Sequence, residues 1–171
     1  GLLLRKEMLS EEQSVPGADQ NIRLLYSSTD GLKGESPVVV SGALFLPAGD
    51  APDGGWPLLL WSHGTVGIAD KCAPTWTGYM PFHEEHLQSW LSEGYAIVTS
   101  DYQGLGTNGT HPYLATQPEA YSNLDAIRAV QGADFPVSKK VVIAGQSQGA
   151  GAAFATAGHA PTYALELDLR G

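Results

Sequence analysis

Residues 141–151 read VVIAGQSQGAG. An apolar run ends in Gly145-Gln146-Ser147-Gln148-Gly149, and the small residues Ala150, Gly151, Ala152 and Ala153 follow. A strand that delivers a serine into a tight turn, with a helix leaving at once, is the nucleophile elbow G-x-S-x-G. The turn forces the serine into strained backbone geometry and brings strand and helix close together. Gly145 and Gly149 then remove the Cβ atoms that would collide, and the small residues keep the helix slim against the sheet. Its N-terminus directs free N–H groups and partial positive charge toward the serine. The alternative is a glycine-rich turn with an incidental serine. Strand, turn and small-residue helix agree on the elbow, with Ser147 as nucleophile.

A serine that attacks a carbonyl needs donors for the oxyanion that forms. One is the backbone N–H after the nucleophile, at Gln148, and the other comes from the loop after an earlier central strand. PLLLWSHGTVG (57–67) offers that loop. His63-Gly64 ends the strand, glycine lets the backbone turn inward, and the N–H of Thr65 is the second expected donor.

Outward from these segments the chain alternates strands with helices. IRLLYSS (22–28) and PVVVSGALFLP (37–47), separated by TDGLKGES, predict an antiparallel pair. The unbroken apolar run PLLLWS (57–62) suits a strand covered on both faces. A helix is expected over 81–93, opened by Pro81 and closed by Gly94, with Leu87, Trp90 and Leu91 on one face. YAIVTS (95–100) is a strand, 118–131 a helix, KVVIAG (140–145) a strand, and QGAGAAFATAG (148–158) a third helix. LELDLRG (165–171) begins another strand. This order implies a mostly parallel sheet with helices on both faces. Residues 1–20 read as an N-terminal extension or loop, and 21–171 as the N-terminal part of one domain.

Composition agrees with that and excludes other classes. The chain has 171 residues, 43% hydrophobic and only 16% charged, with net charge −9. Such an acidic chain is not built for nucleic acid, whose phosphates demand a basic face. No apolar run reaches the length of a membrane span. GLLLRKEML places apolar residues before charges, the reverse of a secretion signal, so export is not read from it. Cys72 is the single cysteine, so no internal disulfide can form.

WSHGTVGIADKCAP (61–74), DYQGLG (101–106), HPYL (111–114) and GQSQGAGAA (145–153) together resemble the secretory lipase family, the fungal lipase A type and its bacterial relatives. The resemblance runs from about residue 21 to residue 171. It implies an α/β-hydrolase fold, serine ester hydrolysis on acylglycerols and simple esters, transient contact with a lipid interface, and a secreted or extracytoplasmic location. No cofactor and no metal are implied. Gln146 stands where relatives often carry histidine.

In this fold the triad follows the order Ser, then Asp or Glu, then His, each after a later strand. His159 is the only histidine after Ser147. At twelve residues along a helix it lies roughly 18 Å from the elbow, far beyond the ~2.6–3.2 Å of proton transfer. Asp168 falls inside the last strand rather than after it. The chain therefore reads as the N-terminal part of a hydrolase domain, with acid and base expected beyond residue 171.

Other patterns have plainer readings. GLGTNG (104–109) matches G-x-G-x-x-G, but Thr110-His111-Pro112 follows instead of the helix a pyrophosphate needs. Asp101 is expected to pin that glycine turn by accepting backbone hydrogen bonds. His83 and His86, flanking Glu84 and Glu85, read as surface polar residues without a third metal ligand. His111 is placed at the site mouth without a chemical role. Asn108-Gly109-Thr110 is a formal glycosylation sequon that a turn also explains. The sequence thus points to a serine lipase or carboxylesterase. Its rivals are a non-catalytic binding protein of the same fold, and an acyltransferase or peptidase using the same elbow.

Overall fold

Three apolar runs, Leu58–Trp61, Ala96–Val98 and Val141–Ala144, form the middle of a seven-stranded mixed sheet in the computed structural model, which describes residues 1–34 and 36–170. Glu35, in the turn expected between the first two predicted strands, and Gly171, at the end of the last, lie outside the described residues.

The strands are β1 (Leu3–Met8), β2 (Ala18–Thr29), β3 (Pro37–Pro47), β4 (Trp56–Ser62), β5 (Ala96–Ser100), β6 (Val137–Gly145) and β7 (Asp168–Leu169). Their spatial order is β1-β2-β3-β5-β4-β6-β7. The expected hairpin is present, with Ile22 opposite Leu44 and Thr29 opposite Pro37. β1–β2, β2–β3 and β3–β5 are antiparallel, whereas β5–β4, β4–β6 and β6–β7 are parallel.

The helices are α1 (Pro74–Thr77), α2 (Pro81–Ser92), α3 (Thr116–Gln131) and α4 (Gln148–Tyr163). Side chains alternate across the central strands. Leu58, Leu60, Val98, Leu44 and Val141 face one way, with Ala126, Ile127 and Val130 of α3. Leu59, Trp61, Phe45 and Ile97 face the other way, with Leu87 and Leu91 of α2. Each buried Leu, Ile, Val or Phe among them contributes about 1.5–3 kcal/mol. Because both faces of β4 and β5 are covered, their sequences run apolar without alternation.

Pro81 occupies the first turn of α2, and Gly94, at φ +80°, lets the chain leave it as expected. α4 runs five residues past its expected end and holds Pro161 in its last turn. Ala160 and Ala164 packing on Leu124 supports that turn, and Arg128 Nη2 donates to the Tyr163 carbonyl at 2.6 Å.

Two expectations are corrected. Residues 1–20 are not simply a loop, because Leu3–Met8 pair with β2 as an edge strand and β2 itself begins at Ala18. LLRKEM carries charges on an exposed edge, so its pattern lacks the strand period. His83 is not a surface residue: it is buried in line with Leu87 and Leu91, one turn apart on α2, its ring 5.9 Å from that of Trp61. His86 lies 4.8 Å from Trp61 and accepts from Trp90 Nε1 at 3.2 Å.

Candidate active site

The parallel register of β4 and β6 sets Ser62 opposite Gly145. Both strands therefore end at one level, and their outgoing loops meet. β6 gives way to Gln146 and Ser147, and α4 starts at Gln148. Ser147 has φ +56° and ψ −119°, a conformation that costs a side-chain-bearing residue about 1–3 kcal/mol. The turn is held by Gln146 N–H donating to the Ser62 carbonyl at 3.3 Å and Gly149 N–H to the Gln146 carbonyl at 2.8 Å. A Cβ on Gly145 would overlap the Gly149 carbonyl, and one on Gly149 would overlap the carbonyls of Ser62 and His63. The glycines thus let α4 approach β4 as well as β6.

The loop after β4 lies against this turn. A Cβ on Gly64 would collide with the side chain of Gln146, so His63-Gly64-Thr65 and Gln146-Ser147 are neighbours. His63 is buried, and its Nδ1 lies 2.7 Å from the Gly64 carbonyl. Nε2 faces the Asp101 carbonyl only at 3.4 Å, so the single proton of a neutral ring is placed on Nδ1, toward the closer acceptor. Burial holds the His63 pKa below its ordinary 6.5, consistent with a neutral ring. The Gly64–Thr65 peptide is trans. Tying its C=O to the His63 ring therefore leaves the Thr65 N–H on the opposite side. Neither that N–H nor the one of Gln148 donates to a described group, and as the first residue of α4, Gln148 has no partner within the helix. Two N–H groups without a partner among the described residues thus lie on the two segments that meet here, that of Gln148 directly after the exposed Ser147 and that of Thr65 on the neighbouring loop.

The described histidines bond elsewhere. His63 reaches Gly64 and Asp101 carbonyls, His86 reaches Trp90, and His111 reaches Gln103 and Gln148. His159 packs edge-on against Tyr121 at 5.6 Å, and Asp168 pairs with Arg170 at 2.6 Å. None of these contacts involves Ser147.

The loop from Asp101 to Ala115 borders the site, touching it through Tyr102, His111 and Tyr113. GLGTNG turns through positive φ at Gly104, Gly106 and Gly109, and the next helix starts only at Thr116, so this turn does not itself open a helix as a pyrophosphate fingerprint must. Asp101 is corrected: it does not pin its own glycine turn. Its buried carboxylate accepts from Ser41 Oγ and Thr75 Oγ1, both at 2.6 Å, and from Thr75 N–H at 3.1 Å, tying β3 and α1 to the end of β5. Burial raises its pKa above 3.8, and the Ser41 and Thr75 bonds oppose that rise.

Several contacts were absent from the sequence reading. Tyr102 donates to the His63 carbonyl at 2.9 Å, and Tyr113 Oη lies 3.0 Å from Thr65 Oγ1. Glu119 is buried, and its carboxylate accepts from Gln148 Nε2 at 2.6 Å. Desolvation raises the Glu119 pKa, partly offset by that bond and by the Leu114 backbone. Beside Thr65 opens a cavity of ≈ 480 Å³ whose lining includes Val66, Cys72, Pro74, Tyr79 and Met80.

The sequence model of the secretory lipase family matches residues 77–171, more than half of the chain. Among solved structures, the rice cell wall degrading esterase LipA from Xanthomonas oryzae is 31% identical with a TM-score of 0.75, covering 98% of this chain and 48% of its own. Candida antarctica lipase A is 21% identical with a TM-score of 0.80, covering 98% of this chain and 40% of its own, a likeness of fold. An AB hydrolase superfamily protein of Schizosaccharomyces pombe is 26% identical over a segment covering 46% of this chain and 28% of that protein. The chain thus spans less than half the length of each of these three. Seven strands, elbow and family match agree, and the chain belongs to the secretory lipase family, with a partial α/β-hydrolase fold.

Proposed function

We propose that the protein carrying this chain is a carboxylic ester hydrolase, a lipase or esterase, acting through an acyl-enzyme on Ser147. The observation that carries the reading is a strained, exposed serine at a helix N-terminus, with the Gln148 N–H and the neighbouring loop's Thr65 N–H both without partners among the described residues. In this reading Ser147 Oγ attacks the ester carbonyl carbon and gives its proton to an imidazole base. The carbonyl oxygen becomes an oxyanion held by the N–H groups of Thr65 and Gln148. Collapse breaks the bond to the alkoxy oxygen, which leaves as the alcohol with the proton from the imidazolium. Water then releases the acid by the same steps in reverse.

The base and its carboxylate partner are assigned to sequence beyond residue 171. Among the described residues no histidine ring nitrogen reaches Ser147, and the chain spans only part of its relatives. Residues 21–171 are taken as the N-terminal part of one hydrolase domain. The ≈ 480 Å³ cavity beside Thr65, with its apolar lining, suits one arm of an ester. Val66, Ile68, Met80, Tyr113 and Leu114 are exposed on loops, and Trp76 and Phe82 on α1 and α2, which supports transient contact with a lipid interface. Family membership supports an extracellular location, and among the described residues no helix is long and apolar enough to cross a membrane.

The test is labelling of the full-length protein by a fluorophosphonate, which modifies activated serines. Ser147 is expected to carry the label and Ser147→Ala to lose it. Unchanged labelling of the alanine variant would place the nucleophile elsewhere.

A further inference from the structure

Gln148 lends the proposed oxyanion site only its backbone, yet its side chain is buried and held from two directions. Its Nε2 donates to Glu119 Oε1 at 2.6 Å, in the first turn of α3, and lies 3.4 Å from His111 Nε2. His111 is itself fixed. Its Nδ1 lies 3.1 Å from the Gln103 carbonyl, and its ring stacks on Tyr102 with planes 13° apart. Since a carbonyl can only accept, Nδ1 carries the proton and Nε2 presents a lone pair to the Gln148 amide. The amide NH₂ thus has one hydrogen for the carboxylate and one for the imidazole.

We propose that Glu119 and His111 are positioning residues that act through the Gln148 side chain to fix the Gln148 N–H where the oxyanion develops. The inference rests on the reading of Ser147 as nucleophile. The geometry favours it because the position needs fixing. The residue follows a backbone at φ +56°, at a helix terminus with no helical bond of its own. A terminus of that kind frays unless something tethers it. The tether here comes from α3 and from the loop that precedes it, and both polar partners are buried. Such networks define one geometry when fully satisfied.

The experiment uses the full-length protein with Gln148→Ala, His111→Ala, Glu119→Ala and the two double variants containing Gln148→Ala. Gln148→Ala keeps the peptide N–H and removes the tether; it also leaves the buried Glu119 carboxylate without this donor, which the double variant with Glu119→Ala removes. End-point titration with a fluorophosphonate first counts competent sites, so a variant that folds poorly loses sites rather than turnover per site. Hydrolysis of nitrophenyl butyrate then gives kcat and KM per site, and affinity for a boronic acid reports the tetrahedral state. Loss of an entire oxyanion donor lowers kcat about 10²–10³-fold, so a loosened one is expected to lower it roughly 10–100-fold.

KM should stay within about twofold, because the ground-state carbonyl is not what the N–H serves, and boronate affinity should fall in parallel with kcat. The double variants should be no worse than Gln148→Ala alone. His111→Gln, whose amide oxygen reaches the place of Nε2, should recover most of the loss. Additive losses in the doubles, unchanged kcat per site, or a His111→Gln variant no better than alanine would overturn the tether. Retained labelling in Ser147→Ala would instead overturn the serine reading, and the tether with it.

Discussion

Replacing Asp101 by alanine tests how the site is suspended from the sheet. The carboxylate is fully buried and takes three donors: the hydroxyls of Ser41 and Thr75 and the Thr75 N–H. In Asp101→Ala the buried Thr75 N–H loses its acceptor, at about 1–3 kcal/mol. Each hydroxyl adds about 0.5–1.5 kcal/mol, less for Ser41, which can turn toward the Leu105 carbonyl at 3.4 Å. Relief of the buried charge offsets part of the sum, leaving a net loss of about 2–4 kcal/mol. Asp101→Asn should cost about 1 kcal/mol or less. Its amide oxygen accepts the Thr75 N–H, and its NH₂ donates to hydroxyls that rotate to suit.

The comparison also carries a sign. Burial raises the Asp101 pKa above 3.8. Stability linked to its protonated form is therefore complete below about pH 3.8 and is lost as pH rises through the folded pKa. Wild type should accordingly be most favoured over Asp101→Asn in acid, and the difference should shrink as pH rises. The assay is urea denaturation of the full-length protein followed by fluorescence, comparing midpoints at constant slope. An asparagine variant as damaged as alanine, or a wild-type advantage that grows with pH, would refute the reasoning.

Three further outcomes follow from the same geometry. Gly149→Ala drives a Cβ into the Ser62 and His63 carbonyls, so the denaturation midpoint should fall by the equivalent of about 1–3 kcal/mol, and activity with it. Ser147→Gly should abolish activity yet raise the melting temperature, because glycine adopts φ +56° without strain; the gain, about 1 kcal/mol after glycine's entropy cost, is read by calorimetry. Residues 1–171 expressed alone should self-associate in sizing experiments, because Phe154 and Leu165 are 84% and 79% exposed and β7 covers β6 with only two residues. Phe154→Ser with Leu165→Lys should increase the monomer.

Much of this arrangement was legible because it is local. Gly145, Ser147 and Gly149 carry the elbow in five residues, and the unbroken runs of β4 and β5 announce strands buried on both faces. The hairpin of β2 and β3 is spelled by two β-rich runs around a turn. What escaped depends on segments distant in sequence. Glu119 and Gln148, or Asp101 and Ser41, are polar residues that no periodicity marks as buried, since their partners lie 29 and 60 residues away. His83 was readable in principle, standing one turn before Leu87 and two before Leu91 on the stripe that faces Trp61. β1 gave no sign, because an exposed edge strand made of LLRKEM has neither alternation nor burial to impose it.

The central claim is tested most directly by trapping the acyl-enzyme. The full-length protein is mixed with excess nitrophenyl butyrate, quenched in acid within the first turnovers, digested and examined by mass spectrometry. The account predicts a butyryl group on the peptide containing Ser147, a burst of nitrophenol matching the number of sites, and neither signal in Ser147→Ala. Steady ester hydrolysis that survives Ser147→Ala, or a butyryl group on another residue, would contradict it.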